Sequence, residues 1–153
     1  MDRAWWNHYW PQVRDSGFKG ECLSSTEGVF GASHVRFFHG GNSGAGAISL
    51  AQHFGAERVI LLGYDCQLTD GKAHHHGDHP KPLGNAGSVH KWSAQFKKMK
   101  EYVGDLEVVN ASRQTALDIW PVETLEDVLS EKTKLLQPNK QVRAGFEIRT
   151  SPV

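Results

Sequence analysis

Cysteine is scarce in this chain: among 153 residues there are two, Cys22 and Cys66, each in or just after an apolar segment. So few thiols exclude a disulfide scaffold and suit a reducing compartment with buried thiols. Long apolar runs are missing as well, since no stretch approaches the ~20 residues a membrane span requires. The opening residues Met1-Asp2-Arg3-Ala4-Trp5-Trp6 lack the charged-then-apolar pattern of a secretory signal. A cytoplasmic protein with no membrane partner is therefore expected. Net charge is absent too, with 17 basic residues against 17 acidic ones. Without a global field, nucleic acid is not an expected partner and any ligand must be recognised locally. Two nucleotide signatures are also lacking: there is no G-x-G-x-x-G fingerprint and no Gly-Lys-Ser/Thr of a P-loop.

What remains is a chain long enough to bury one core of its own. Residues 1–136 read as a single domain and 137–153 as an irregular tail, in which Phe146-Glu147-Ile148 has the alternation of an edge strand. Two enrichments stand out. Three of five tryptophans (Trp5, Trp6, Trp10) fall in the first ten residues, and four of nine histidines fall in His74-His75-His76-Gly77-Asp78-His79.

Trp6, Tyr9, Trp10 and Val13 follow the i, i+3, i+4, i+7 spacing of a helical face, with a break expected near Pro11. Segments 20–25 and 34–38 read as short strands. After 35–38 comes Gly40-Gly41-Asn42-Ser43-Gly44-Ala45-Gly46, then a helix with Ala47, Leu50, Ala51 and Phe54 as its buried stripe and Gly55 as its stop. Val59-Ile60-Leu61-Leu62 reads as a parallel strand covered on both faces. Strand, glycine turn, helix and strand make a βαβ crossover. A long polar loop (65–89) leads to a second helix with Trp92, Phe96, Met99 and Val103 on one face. The strand 106–109 ends in Asn110-Ala111-Ser112, and Pro121 is expected to open a last helix with Glu123, Glu126 and Asp127 near its positive end.

Candidate ligand contacts follow from this layout. Gly41 and Gly44 let the backbone approach a ligand, Asn42 and Ser43 add side-chain donors, and the helix start offers N–H groups to a phosphate. The same residues suit a tight turn with no ligand. Asp65 ends a strand, at the sheet edge where α/β proteins receive ligands, and suits ribose or sugar hydroxyls; an exposed turn carboxylate is the alternative. Asn110 and Ser112 sit at a second strand end, where they line a crevice or make an ordinary turn. His76 and His79 suit an anion or substrate contact. His74, His76 and Asp78 would point one way in an extended loop and could hold a metal, although the spacing matches no standard zinc motif and a solvated loop is the plainer reading. His90 begins a helix, where the dipole favours the neutral imidazole of a general base; a packing histidine is the alternative.

The block Asn42-Ser43-Gly44, with the alanine-rich helix after it and then Phe54-Gly55-Ala56-Glu57-Arg58-Val59-Ile60-Leu61-Leu62-Gly63-Tyr64-Asp65, resembles the core of the bacterial sialyltransferase-like superfamily, which includes pterin-pyrophosphokinase-like proteins and a branch of phage proteins. The phage branch is most similar, with an Asp-Arg-x-Trp-Trp like Asp2–Trp6 and a histidine-bearing loop after Gly-Tyr-Asp. The resemblance spans about Asp2 to Trp120. It implies an α/β, three-layer Rossmann-like domain with a mainly parallel sheet, reduced at the N-terminus because the family's first βα unit would precede Asp2. It also implies His90 as catalytic base and, for a phage-encoded chain, the host cytoplasm. Gly40-Gly41 stand where the transferases carry an arginine, and Gln67 where they carry a tyrosine. A nucleotide-type small molecule is thus the expected ligand, with no separate cofactor and no bound metal. Three functions are open: a glycosyl or phosphoryl transferase, a non-catalytic protein sequestering a nucleotide-derived signal, and a metal-dependent hydrolase on the His74–His79 loop. Trp5, Trp6 and Trp10 are expected to cover an open flank or to join two copies into a homo-oligomer.

Overall fold

The computed structural model describes residues 3–68, 71–72, 77–81, 83–85 and 87–135, with side chains as far as residue 130. In chain order the elements are α1 (Arg3–Asp15), β1 (Leu23–Ser24), β2 (Ser33–His34), α2 (Ser43–His53), β3 (Arg58–Leu61), α3 (Val89–Val103), β4 (Glu107–Asn110) and α4 (Leu125–Leu135). The tail 137–153 and the possible edge strand at 146–148 lie outside the described residues.

The protein is α/β and its strands pair in parallel. Arg58, Val59, Ile60 and Leu61 of β3 lie opposite Glu107, Val108, Val109 and Asn110 of β4, and a parallel bridge from Asn110 to Val122 widens this sheet. β1 and β2 form a separate parallel pair. The observed βαβ unit is therefore β3–α3–β4. The expected one, running from 35–38 through α2 to β3, does not form. Val35 N–H still reaches Ser24 O at 2.9 Å, but farther on Phe38 O accepts from the Ser49 hydroxyl of α2. Beyond Val35 the segment thus runs to α2 and not along the sheet.

One buried cluster holds this unit together: Ala45 and Ile48 of α2, Leu61 of β3, Phe96, Met99 and Val103 of α3, Val108 of β4, and Leu117 and Trp120. Val59, Leu61 and Val108 share one sheet face by strand alternation, and α2 and α3 pack together on that side. Burying each large apolar side chain contributes roughly 1.5–3 kcal/mol.

Several local expectations change. In α2 the buried residues are Ala45, Gly46, Ile48 and Ser49, whereas Ala47 and Phe54 are exposed. Small and apolar residues surround this helix, so its sequence sets no phase; Ser49 turns inward because its hydroxyl is bonded to Phe38 O and Gly46 O. Gly55 does stop the helix, at φ +85. Its N–H bonds Gln52 O at 2.8 Å and Ala56 N–H bonds Ala51 O at 3.0 Å, a Schellman closure. β3 is not covered on both faces, and Leu62 just beyond it is 56% exposed. α1 runs unbroken through Pro11. The lost bond is offset by its aromatic face: Trp6 Nε1 donates to Phe30 O at 2.7 Å, and Trp10 packs edge-to-face on Phe30 and over Gly31. Trp6 and Trp10 therefore cover the β1–β2 region. Pro121 does not open α4. Thr124 does, accepting from Asp127 N–H at 3.1 Å, a T-x-x-D cap; Glu126 and Asp127 occupy the first turn as expected. Cys22 and Cys66 are both free thiols. No described helix is long and apolar enough to cross a membrane.

Candidate functional site

The glycine turn is built by left-handed backbone at Gly40 (φ +71) and Gly41 (φ +94), which returns the chain to start α2. Asn42 follows in extended geometry as N-cap. Its Oδ1 accepts from Ala45 N–H at 2.8 Å, and its carbonyl accepts the first helical bond from Gly46. The N–H groups of Ser43 and Gly44 are first-turn donors with no partner inside the helix.

Two neighbours close on the turn. From α3, Gln95 accepts from Asn42 Nδ2 at 2.9 Å and donates to Gly41 O at 3.2 Å; a Cβ on Gly41 would lie 2.5 Å from its Nε2. From the end of β3, the Tyr64 hydroxyl donates to Gly44 O at 3.2 Å, and a Cβ on Gly44 would lie 3.0 Å from its ring. Burial raises the Tyr64 pKa, which keeps this hydroxyl a donor. Gly41 is therefore favoured by its left-handed backbone, and a side chain at Gly44 would press on the Tyr64 ring, with no ligand needed to account for either glycine.

The two strand ends are cross-linked. Tyr64 N–H donates to Ser112 Oγ at 2.8 Å, Thr115 Oγ1 donates to Tyr64 O at 2.7 Å, and Ala116 N–H donates to Asp65 O at 2.8 Å. Asn110 is fully buried. Its amide donates to Thr115 Oγ1 and to Leu117 O, each at 3.1 Å, and its Oδ1 accepts from Ser112 N–H at 3.1 Å. Asn110 and Ser112 thus shape the strand-end turn and hold its partner, Gly63-Tyr64-Asp65, in place. Next in the chain, Cys66 has a left-handed backbone (φ +52). Burial, with the Asp65 charge beside it, pushes its thiol pKa up to about 11.

The structure brings Gly41, Asn42, Ser43, Gly44, Asp65, Asn110 and Ser112 into one neighbourhood, because Tyr64 bonds both the α2 turn and Ser112. It does not bring the histidines there. His90 is exposed in the first turn of α3. Five residues at about 100° each place it about 140° around the helix from Gln95. His79 lies against α1, its ring 6.4 Å from that of Tyr9, and Asn85 Oδ1 holds its N–H. His76, like His74, lies outside the described residues; among those described, no group of three or more His, Cys, Asp or Glu could hold a metal ion. A shallow groove of about 440 Å³, lined by Lys97, Lys100, Glu101, Gly104 and Ile119, lies toward the other end of α3 and includes none of these residues.

Sequence reasoning missed Gln95, Thr115 and the bridging role of Tyr64. Gln95 carried a signal, since it interrupts the apolar stripe Trp92, Phe96, Met99 with a polar side chain. Thr115 lies in an irregular turn and carried none.

Fold and site together define an α/β protein with a parallel strand pair and a glycine turn docked on its strand ends. No family model matches the chain, and neither a curated protein nor a solved structure matches it.

Proposed function

We propose that the protein binds a nucleotide or nucleotide-derived molecule in the crevice between the α2 turn and the carboxyl ends of β3 and β4. The observation that carries this reading is the convergence made by Tyr64, which joins the Gly44 turn to the Ser112 strand end. First-turn N–H groups suit a phosphate, and a carboxylate at a strand end suits ribose hydroxyls. The frame we infer is a three-layer Rossmann-like domain related to the sialyltransferase-like superfamily.

The position of His90 favours a non-catalytic binder over a transferase, because a general base must come within hydrogen-bond reach of its proton and His90 does not share the face of α3 that meets the turn. Thermal denaturation with CMP, ADP-ribose and 3′,5′-cyclic AMP tests both ideas. A ligand at 100 times its Kd stabilises by ~2.7 kcal/mol, which raises Tm by roughly 5–10 °C in a chain of this size. A shift that survives His90→Ala, with the nucleotide recovered intact, supports the binder. Loss of the shift's turnover products on His90→Ala supports the transferase. If none of the three nucleotides moves Tm, the nucleotide reading is wrong.

A further inference from the structure

We propose that Thr115 is a positioning residue that fixes Asp65 as the carboxylate reading ribose hydroxyls; the inference rests on the nucleotide-binding reading above. Thr115 Oγ1 donates to Tyr64 O at 2.7 Å, the carbonyl of the peptide entering Asp65. Ala116 N–H donates to Asp65 O at 2.8 Å, the carbonyl of the peptide leaving it. Peptide groups are planar, so pinning one carbonyl on each side of the Asp65 Cα fixes both of its backbone torsions. The direction of its Cα–Cβ bond follows, and only the side-chain torsions stay free.

The Thr115 hydroxyl is itself fully determined. It accepts from Asn110 Nδ2 at 3.1 Å and from Leu117 N–H at 2.9 Å. A hydroxyl has one proton and two acceptor sites, so with both acceptor sites filled its proton is directed to Tyr64 O. Ser112 Oγ holds the Tyr64 N–H from the other side. The left-handed backbone of Cys66 is consistent with this over-determination: a non-glycine residue keeps that conformation only where its surroundings impose it.

A carboxylate whose Cα–Cβ bond is aimed this firmly should distinguish ribose from 2′-deoxyribose, and Thr115 should matter for that distinction beyond its share in stability. The test is titration calorimetry of the full chain with CMP and with 2′-deoxy-CMP. The wild-type protein is expected to prefer CMP by about tenfold or more, the scale of one hydrogen bond to a charged acceptor. Thr115→Val is expected to reduce the preference to within about twofold, and Thr115→Ser, which keeps the hydroxyl, to restore it. Asp65→Ala, which removes the acceptor, should abolish the preference, and adding Thr115→Val to that variant should change the ratio no further, since coupled residues are non-additive. A purely structural Thr115 would lower Tm and leave the ratio intact.

A wild-type ratio in Thr115→Val overturns the proposal. Equal binding of both probes by the wild type also overturns it and leaves the nucleotide reading standing. Binding of neither probe overturns the proposal, and it removes the nucleotide reading as well only when ADP-ribose and 3′,5′-cyclic AMP also leave Tm unmoved. Should Thr115→Val not fold, Ser112→Ala, which releases only the Tyr64 N–H, is expected to shrink the ratio in the same direction, and an unchanged ratio there counts against the proposal equally.

Discussion

Residues 3–35 and residues 40–130 are held together in different ways. The second region closes around a cluster with members from α2, β3, α3 and β4 and from the turn before α4, and no residue of 3–35 belongs to it. The first has two strands of two residues each and is organised by rings: Trp5 against Tyr9, Trp6 against Trp10, and Trp10 against Phe30. It also leaves Phe18 and Phe30 largely in solvent. A many-sided core fixes strand ends to within a hydrogen bond, as the turns around Asn110 show. An aromatic face fixes only the segment it covers. The candidate crevice lies wholly in the region with the core.

The strongest way to break this comparison is to hollow the core. Met99 is fully buried and its methyl group lies under Gly40. Met99→Ala is expected to cost about 2–5 kcal/mol, read by urea denaturation, and to lower amide protection throughout 40–130. The Ser33 and Val35 amides, which bond Cys22 O and Ser24 O, should change far less; an equal loss there would make the two regions one cooperative unit.

Next in size is Asn110→Ala, which strands the Ser112 N–H and the Leu117 carbonyl and takes one of its three partners from the Thr115 hydroxyl. At ~1–3 kcal/mol for each buried group left unsatisfied, and with some relaxation, a loss of about 3 kcal/mol is expected. The extra protection loss should centre on Tyr64 and Ala116, the amides across the cross-linked turns.

The same contrast explains what could be read from the sequence. α3 was legible because Phe96, Met99 and Val103 recur on one face of a helix whose other side is rich in lysine. The helix before Gly55 was legible in its end but not in its phase, since between Gly44 and Ala51 the one polar residue is Ser49, and it turns inward. β4 was legible from its buried valines. The pairing of β3 was not, because parallel register depends on residues nearly fifty positions apart. For the site, the glycine turn could be nominated from its glycines and the helix start after it, and Asp65 from its strand-end position. Gln95 showed only as a polar break in the apolar stripe of α3, its partner lying 54 residues away, and Thr115 showed not at all, its partner lying 51 residues away.

A smaller effect is expected in the first region. Trp6→Phe keeps most of the buried ring and removes the indole N–H that meets Phe30 O at 2.7 Å. The cost should be about 1 kcal/mol, the net value of a typical hydrogen bond. It should appear as faster exchange at Ser33 and Val35 with little change in 40–130. If Trp6→Phe instead weakens the core as much as Asn110→Ala does, the aromatic face supports more than the segment it covers.

The smallest effect sharpens the comparison by titration. The Cys66 thiol has a folded pKa of about 11 against an ordinary value of 9.0, chiefly because burial disfavours the thiolate and secondarily because Asp65 lies beside it. A raised folded pKa means that the native state holds this proton more tightly than the unfolded chain does. Its contribution to stability is therefore complete below about pH 9 and falls as pH rises through the folded value near 11. The thiol is partly open to solvent, so the loss should be modest, and Cys66→Ser should remove that portion of the alkaline decline in a urea series. Alkylation of Cys66 in the native protein at pH 8 should be slow for the same reason, since the thiolate is the reacting form. Rapid alkylation under native conditions would mean that the strand-end turn opens far more often than its cross-links imply, and that the second region is no more firmly fixed there than the first.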